Sequence, residues 1–309
     1  MKKILVIFAG QAYREKTLFH LFQKDERVLC YLKDYSAKAG IDLLADDLPL
    51  SSPLWVQIIL GSYQRILFKR LEPLLCSYHV DLVGYSLGEI SAFLASIDAS
   101  ADESIQLLRY RTQLMTTDLH GELYDLLAVK GRWVFEKIAT LIEQYHCHIA
   151  IINSPQHLIL GGKVVDLNKL ITVLQQQQLE HAKFLAIERP SHTPFYRPQV
   201  EKFKLFLQQH YAKKTLRYPI MSPLQLCKIT QTKTECSLLA DELQMTLQWQ
   251  KVCNLIHDYQ YDGVIDLGPG SAMTAILMDS GNEFAAEQWI TAANYQTLAG
   301  FLKAIVAFK

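Results

Sequence analysis
Apolar and polar positions alternate along this chain in two rhythms. The opening stretch "KILVIFAG" is a short continuous apolar run ended by glycine, which predicts a buried strand. "PLWVQIILGSYQRILFKRLEPLL" switches to a helical period, and "HVDLVGYS" returns to a strand. "LGEISAFLASI" places Ile90, Phe93, Leu94 and Ile97 on one helical face. "ADESIQLLRYRTQLMTTDL" predicts a further helix with acidic residues in its first turn, where the helix dipole favours them. Strands and helices that alternate in this way imply an α/β fold with a mostly parallel sheet.

From about Leu123 the rhythm changes. "LYDLLAV" reads as a strand, "RWVFEKIATLIEQYH" as a helix, and "HIAIINS" and "HLILGG" as two strands around a tight turn. "VVDLNKLITVLQQQQ" follows as a helix, its four glutamines an exposed end, and "KFLAIER" as a strand. The order β-α-β-β-α-β is that of a ferredoxin-like α+β unit. After Pro190 the first pattern resumes, and "GVIDLG" supplies a last strand before Pro269-Gly270 and another helix. The expectation is a large domain made of residues 1–122 and 191–309, with a small subdomain, 123–190, inserted in it.

Composition narrows the function classes. A chain of 309 residues can bury a sizeable core. Lys+Arg and Asp+Glu both number 31, so no basic excess points to nucleic acid or an anionic membrane, although one local basic pocket is still compatible. The six cysteines are scattered without metal-ligand spacing, which fits reduced thiols in a cytoplasmic protein. The apolar run at the start ends at Gly10 and is followed by Gln11, Arg14, Glu15 and Lys16, unlike a signal peptide. No run is long enough to span a bilayer.

Chemistry enters at Gly84-Tyr85-Ser86-Leu87-Gly88, a G-x-S-x-G between a strand and a helix. That is the arrangement of a nucleophile elbow: the strand aims the serine outward, and the glycines let neighbouring backbone approach. The helix that follows points free N–H groups at the reacting centre, and the N–H of Leu87 is placed to stabilise an oxyanion. A plain tight turn is the competing reading. A serine nucleophile needs a base. Of ten histidines, His192 stands out, in "ERPSHTPFYRP" where the chain leaves the small subdomain and lines a cleft; an ordinary loop histidine is the alternative.

These residues, with others in order, resemble the malonyl-CoA:acyl-carrier-protein acyltransferase family. "FAGQ" (8–11), "GYSLGE" (84–89), "RTQLM" (111–115), "NSPQHLILGG" (153–162), "PSH" (190–192), "LQW" (247–249) and "DLGPG" (266–270) carry the likeness nearly end to end. The resemblance implies a hydrolase-like α/β domain with a parallel sheet and a ferredoxin-like insert. It implies that Ser86 is acylated, that His192 is its base, and that the N–H groups of Leu87 and Gln11 form the oxyanion hole. Arg111 would pair with the malonyl carboxylate, Asn153 would order the pocket, and a backbone carbonyl near Gln248 would orient His192. It further implies malonyl-CoA as substrate, no tightly bound cofactor or metal, and an acyl-carrier protein with a phosphopantetheine-type arm as partner. A guanidinium matches a carboxylate bidentately, whereas buried opposite a neutral acyl chain it would be unpaired.

Some positions depart from the family's usual pattern. Ala12-Tyr13 stands for Gly-Ser, so a positive φ there would be strained and Tyr13 would narrow the mouth. Tyr85 replaces a histidine, and Met245-Thr246 an Asn-Pro pair. The ending "WITAANYQTLAGFLKAI" is similar to that of the transacylase subunit of malonate decarboxylase, whereas Glu89 fits the fatty-acid and polyketide type. The alternative activity is an acyl hydrolase, a thioesterase using the same Ser-His pair; retention of Arg111 argues against it.

Overall fold
The computed structural model describes residues 1–15, 18–116, 121–280 and 288–307. In chain order its strands are β1 (Lys3–Phe8), β2 (His79–Gly84), β3 (Tyr124–Gly131), β4 (His148–Ser154), β5 (His157–Lys163), β6 (Leu179–Phe184), β7 (Ile220–Met221), β8 (Lys228–Ile229), β9 (Gly263–Asp266) and β10 (Trp289–Thr291). The helices are α1 (Glu26–Ala39), α2 (Val56–Leu71), α3 (Leu87–Ser96), α4 (Ala101–Met115), α5 (Phe135–Gln144) and α6 (Val164–Gln175). They continue with α7 (Arg197–Tyr211), α8 (Thr232–Asp241), α9 (Trp249–Tyr259), α10 (Ala272–Asp279) and α11 (Leu298–Val306).

The larger sheet has the order β10-β9-β1-β2-β7-β8, parallel throughout except for the β7/β8 pair. β1 lies inside it, and its apolar residues divide between two cores by the two-residue period of a strand. Ile4, Val6 and Phe8 enter the core built with α2, α3 and α7. Leu5 and Ile7 enter a second core with Trp249, Met273 and the small-sheet residues Leu126 and Ile151. Burial on both faces is the reason this strand reads as an unbroken apolar run.

Residues of the second unit form a four-stranded antiparallel sheet of order β4-β5-β3-β6. One face packs Leu127, Val129, Leu158 and Leu160 against α5 and α6. The other face joins the second core of the large sheet. The link between the units is also polar: Ile152 N–H donates to the Leu247 carbonyl at 3.0 Å, and Leu247 N–H donates to the Ala150 carbonyl at 2.9 Å. Thr246, at one of the departing positions, donates its hydroxyl to the Ile149 carbonyl at 2.6 Å.

Two expectations about elements need adjustment. The strand expected over "KFLAIER" is displaced, since β6 runs Leu179–Phe184 and stops where that stretch begins. The cause is Asp125 on β3. Its buried carboxylate accepts the N–H groups of Leu126, Ala186, Ile187 and Glu188, which draws the chain off the sheet. Ala186 and Glu188 take positive φ values of 52° and 57° to reach it. The helix expected through "RTQLMTTDL" ends as α4 at Met115, and residues 117–119 of that expectation lie outside the described residues. No described helix is long and apolar enough to cross a membrane.

Candidate active site
β1 and β2 run side by side with Phe8 opposite Gly84, so the loops leaving their carboxyl ends are neighbours. That crevice is where open parallel sheets bind ligands. Ser86 follows β2 and caps α3 with φ 56° and ψ −110°, a conformation that costs an L-residue about 1–3 kcal/mol. The flanking glycines follow from the packing. A Cβ on Gly88 would lie 2.0 Å from the Phe8 carbonyl oxygen, and one on Gly84 would lie 2.0 Å from the Glu89 nitrogen. The G-x-S-x-G spacing is therefore required by the sharp turn, and a plain tight turn does not account for it.

Ser86 Oγ and His192 Nε2 are 2.6 Å apart. His192 is 1% exposed and itself has φ 63°. Its Nδ1 is 2.6 Å from the backbone carbonyl oxygen of Glu242, which fixes the tautomer with the proton on Nδ1 and leaves Nε2 as acceptor for the serine hydroxyl. This corrects the expectation for Gln248. Gln248 precedes α9, and its carbonyl accepts the Val252 N–H at 3.1 Å, while the carbonyl that reaches His192 is that of Glu242, in the turn at the end of α8. His192 N–H also donates to the Leu243 carbonyl at 2.9 Å, which holds the imidazole segment against the same turn. Burial, and then the charge of Arg111, depress the His192 pKa to about 3, with the Glu242 carbonyl opposing.

Arg111 is 3% exposed and projects from α4. Among the described residues its hydrogen bond is a short one from Nη1 to Oε1 of Gln57, a buried residue of α2. Burial lowers its pKa to about 10, so it stays cationic at neutral pH. Gln57 was missed in the sequence; its signal is a polar residue in an otherwise apolar helical run. Gln64, two turns later, is another, and its Nε2 donates to both the Ala9 and Gly268 carbonyls at 2.8 Å, pinning the loop that carries Gln11.

A cavity of about 400 Å³ opens on Ser86 and His192 between the two sheets. Gln11, Asn153, Tyr85 and Tyr13 line it, and its far wall is apolar, with Leu126, Ile159 and Met273. Arg111 does not line this cavity, but it is close enough for its charge to act on His192. The N–H groups of Gln11 and Leu87 donate to no described acceptor. The departing residues fit here. Tyr85 donates its hydroxyl to Asn153 Oδ1 at 3.1 Å and packs edge-on against Trp249. Ala12 is not among the residues with positive φ, so it bears no such strain, and the Tyr13 ring lies over Gly270 at the mouth.

Three buried carboxyl groups lie together, Glu89 of α3, Glu235 of α8 and Glu242, the residue whose carbonyl meets His192. No donor from elsewhere in the described structure reaches either oxygen of Glu89 or Glu235. Burial, then their mutual repulsion, holds the pKa of Glu89 and Glu235 well above the usual range, and burial pushes Glu242 to about 7. Three carboxyl groups buried together cannot all ionise, so the cluster carries protons. Glu235 and Glu242 stand seven residues apart, in and at the end of α8, so one helix brings them together, whereas Glu89 comes from α3, and no local pattern joins it to them. Among the described residues no cluster of ligating side chains could hold a metal ion.

Over residues 75–304 the chain matches the family profile described as the acyl transferase domain. It is similar to the polyketide biosynthesis malonyl CoA-acyl carrier protein transacylase PksC of Bacillus subtilis, 22% identical over 200 residues, 63% of this chain and 67% of that protein. A malonyl CoA-acyl carrier protein transacylase of Bacillus subtilis is 24% identical over 66% of this chain, which spans only 52% of it. That of Buchnera aphidicola (subsp. Baizongia pistaciae) is 22% identical over 266 residues, 83% of this chain and 85% of that one. Among solved structures, the malonyl-CoA:acyl carrier protein transacylase from Helicobacter pylori superposes with a TM-score of 0.87 at 19% identity, covering 100% of this chain and 99% of that one. The corresponding Coxiella burnetii structure gives 0.85 at 18% identity over 98% and 97%.

Proposed function
The chain belongs to the acyl transferase domain family, and from that premise we propose that it is an S-malonyltransferase, moving malonyl from coenzyme A to the thiol of an acyl-carrier protein. In this reading residues 1–122 and 191–309 form the catalytic body and 123–190 the inserted lobe, and the protein works in the cytoplasm, where its coenzyme A substrate is. The observation that carries the proposal is a Ser86–His192 contact of 2.6 Å together with a buried guanidinium that acts on the same imidazole and whose described hydrogen bond goes to a neutral amide.

Ser86 Oγ attacks the thioester carbon as its proton passes to His192 Nε2. The oxyanion that forms is met by the N–H groups of Leu87 and Gln11, and the helix dipole of α3 favours it. The carbon–sulfur bond breaks, coenzyme A leaves with the proton from the imidazolium, and malonyl-Ser86 is left. The carrier thiol then repeats the sequence: its proton goes to Nε2, its sulfur takes the acyl group, and Ser86 recovers its proton. Throughout, the Glu242 carbonyl holds the Nδ1 proton.

Arg111 supplies selectivity by pairing with the malonyl carboxylate, with Gln57 holding the guanidinium in place. It also opposes protonation of His192. A bound carboxylate offsets that charge, so the imidazole becomes a stronger base with the carboxylated substrate in place. An acyl hydrolase of neutral chains would leave the buried guanidinium with only the neutral Gln57 amide and no carboxylate, which disfavours that alternative.

The test is intact-mass analysis of the protein after malonyl-CoA, followed by addition of holo carrier protein. A malonyl adduct that Ser86→Ala abolishes, and that discharges onto the carrier faster than onto water, is expected. An adduct lost to water at the same rate with and without carrier would replace transfer by hydrolysis.

A further inference from the structure
Arg189 is the second buried guanidinium near the site, and the reaction as described does not use it. It is 6% exposed and lies three residues before His192. Among the described residues no carboxylate pairs with it. Its three nitrogens are instead spread over two other segments. Nε donates to the Met115 carbonyl at 2.9 Å, Nη2 to Thr116 Oγ1 at 3.1 Å, and Nη1 to the Pro53 carbonyl at 3.0 Å.

Each of those segments carries one part of the carboxylate clamp. Met115 ends α4 one turn after Arg111, and Pro53 precedes α2 by three residues, with Gln57 in the first turn of that helix. The Tyr196 hydroxyl, also from the segment after His192, donates to the same Met115 carbonyl at 3.0 Å. A planar fork of donors fixes distances and angles that a point charge does not. A cation on the last carbonyls of α4 is sufficient explanation for a helix cap alone. It does not explain the third arm reaching Pro53, which ties in the helix that holds Arg111 by its partner.

We propose that Arg189 is a positioning residue that sets the register of the Arg111–Gln57 clamp against the Ser86–His192 pair, and so sets preference for a carboxylated acyl group. The proposal rests on the malonyl reading of Arg111. It differs from a merely structural role in what it moves: loss of folded protein lowers all acylation rates together, whereas loss of register lowers the malonyl rate more than the acetyl rate.

The experiment is single-turnover acylation of Ser86 by malonyl-CoA and by acetyl-CoA, followed by intact mass, in the unaltered protein and in Arg189→Lys. Lysine keeps the charge and loses the fork. The malonyl-to-acetyl rate ratio is expected to fall by about tenfold, the equivalent of about 1.4 kcal/mol. A ratio unchanged in Arg189→Lys, whether both rates fall or neither does, overturns the proposal. If Arg189→Lys does not fold, Thr116→Val removes one arm and leaves the guanidinium, and the ratio is read in the same way: a fall supports the proposal and no change overturns it. An unaltered protein with no preference for malonyl-CoA removes the reading of Arg111, and this inference with it; a preference retained in the unaltered protein isolates the fault to Arg189.

Discussion
The imidazole of His192 and the peptide carbonyl of Glu242 meet at 2.6 Å, so a backbone group stands where other serine enzymes use a carboxylate. A carbonyl does not titrate in this range, and it holds the neutral imidazole in one tautomer. The side chain of Glu242 is free for a different use, in the buried carboxyl cluster with Glu89 and Glu235.

His192→Ala removes the acceptor for the Ser86 proton while leaving the oxyanion donors in place. Acylation by malonyl-CoA should slow by about 10²–10⁴-fold, the usual contribution of a positioned general base. Rapid-quench measurement of the malonyl adduct checks this, and an unchanged rate would remove His192 from its role.

The depressed pKa of His192 has a kinetic consequence. A histidine titrating near its ordinary 6.5 would lose activity as pH falls below 7, whereas one held down to about 3 stays neutral and competent well below that. The kcat/KM for malonyl-CoA should therefore be flat between about pH 8 and 6 with respect to this group. Arg111→Ala removes a cation that disfavours the imidazolium, so in that variant the inflection should move upward in pH. A downward move, or none, would contradict an effect of the Arg111 charge on the imidazole.

Arg111→Ala should also cost about 2–5 kcal/mol in kcat/KM for malonyl-CoA, the range for deleting one partner of a buried, hydrogen-bonded charge pair. Acetyl-CoA, which has no carboxylate, should lose far less. Steady-state kinetics with both thioesters decide it, and equal losses would mean that the guanidinium does not meet the acyl group.

Glu235 links the cluster to stability. Its folded-state pKa is raised from 4.5, first by burial and then by Glu242, so the folded protein holds the proton more tightly than the unfolded chain does. That contribution is complete below about pH 4.5 and is lost as pH rises through the folded value. Glu235→Gln removes the titration. The urea midpoint of the variant should fall less between pH 5 and pH 8 than that of the unaltered protein, and a larger fall would show that Glu235 is ionised in the fold.

Gly88→Ala tests the elbow itself. The added methyl would sit 2.0 Å from the Phe8 carbonyl oxygen, backbone of a central strand of the main sheet against the first turn of α3. A loss of about 3 kcal/mol or more is expected on denaturant unfolding, because neither strand nor helix can move aside cheaply.

Much of this was legible in one dimension. The apolar run at Ile4–Phe8, the helical period of α3, the β-α-β-β-α-β order and the serine between two glycines are local patterns, written within windows that one strand or one turn of helix spans. Ser86, His192 and Arg111 could be singled out by motif, since each motif reports the shape of its own backbone segment. What local pattern could not carry was partnership. Gln57 and Arg111, His192 and the Glu242 carbonyl, and Asp125 with the amides of 186–188 join segments 50 or more residues apart. Which carbonyl reaches the imidazole depends on how the turn after α8 packs, and the sequence placed it six residues too late. Residue spacing along a chain fixes periodicity and turn geometry; the contacts of a buried polar group are fixed by whichever donors and acceptors the packed core brings within about 3 Å, and only the folded structure decides those.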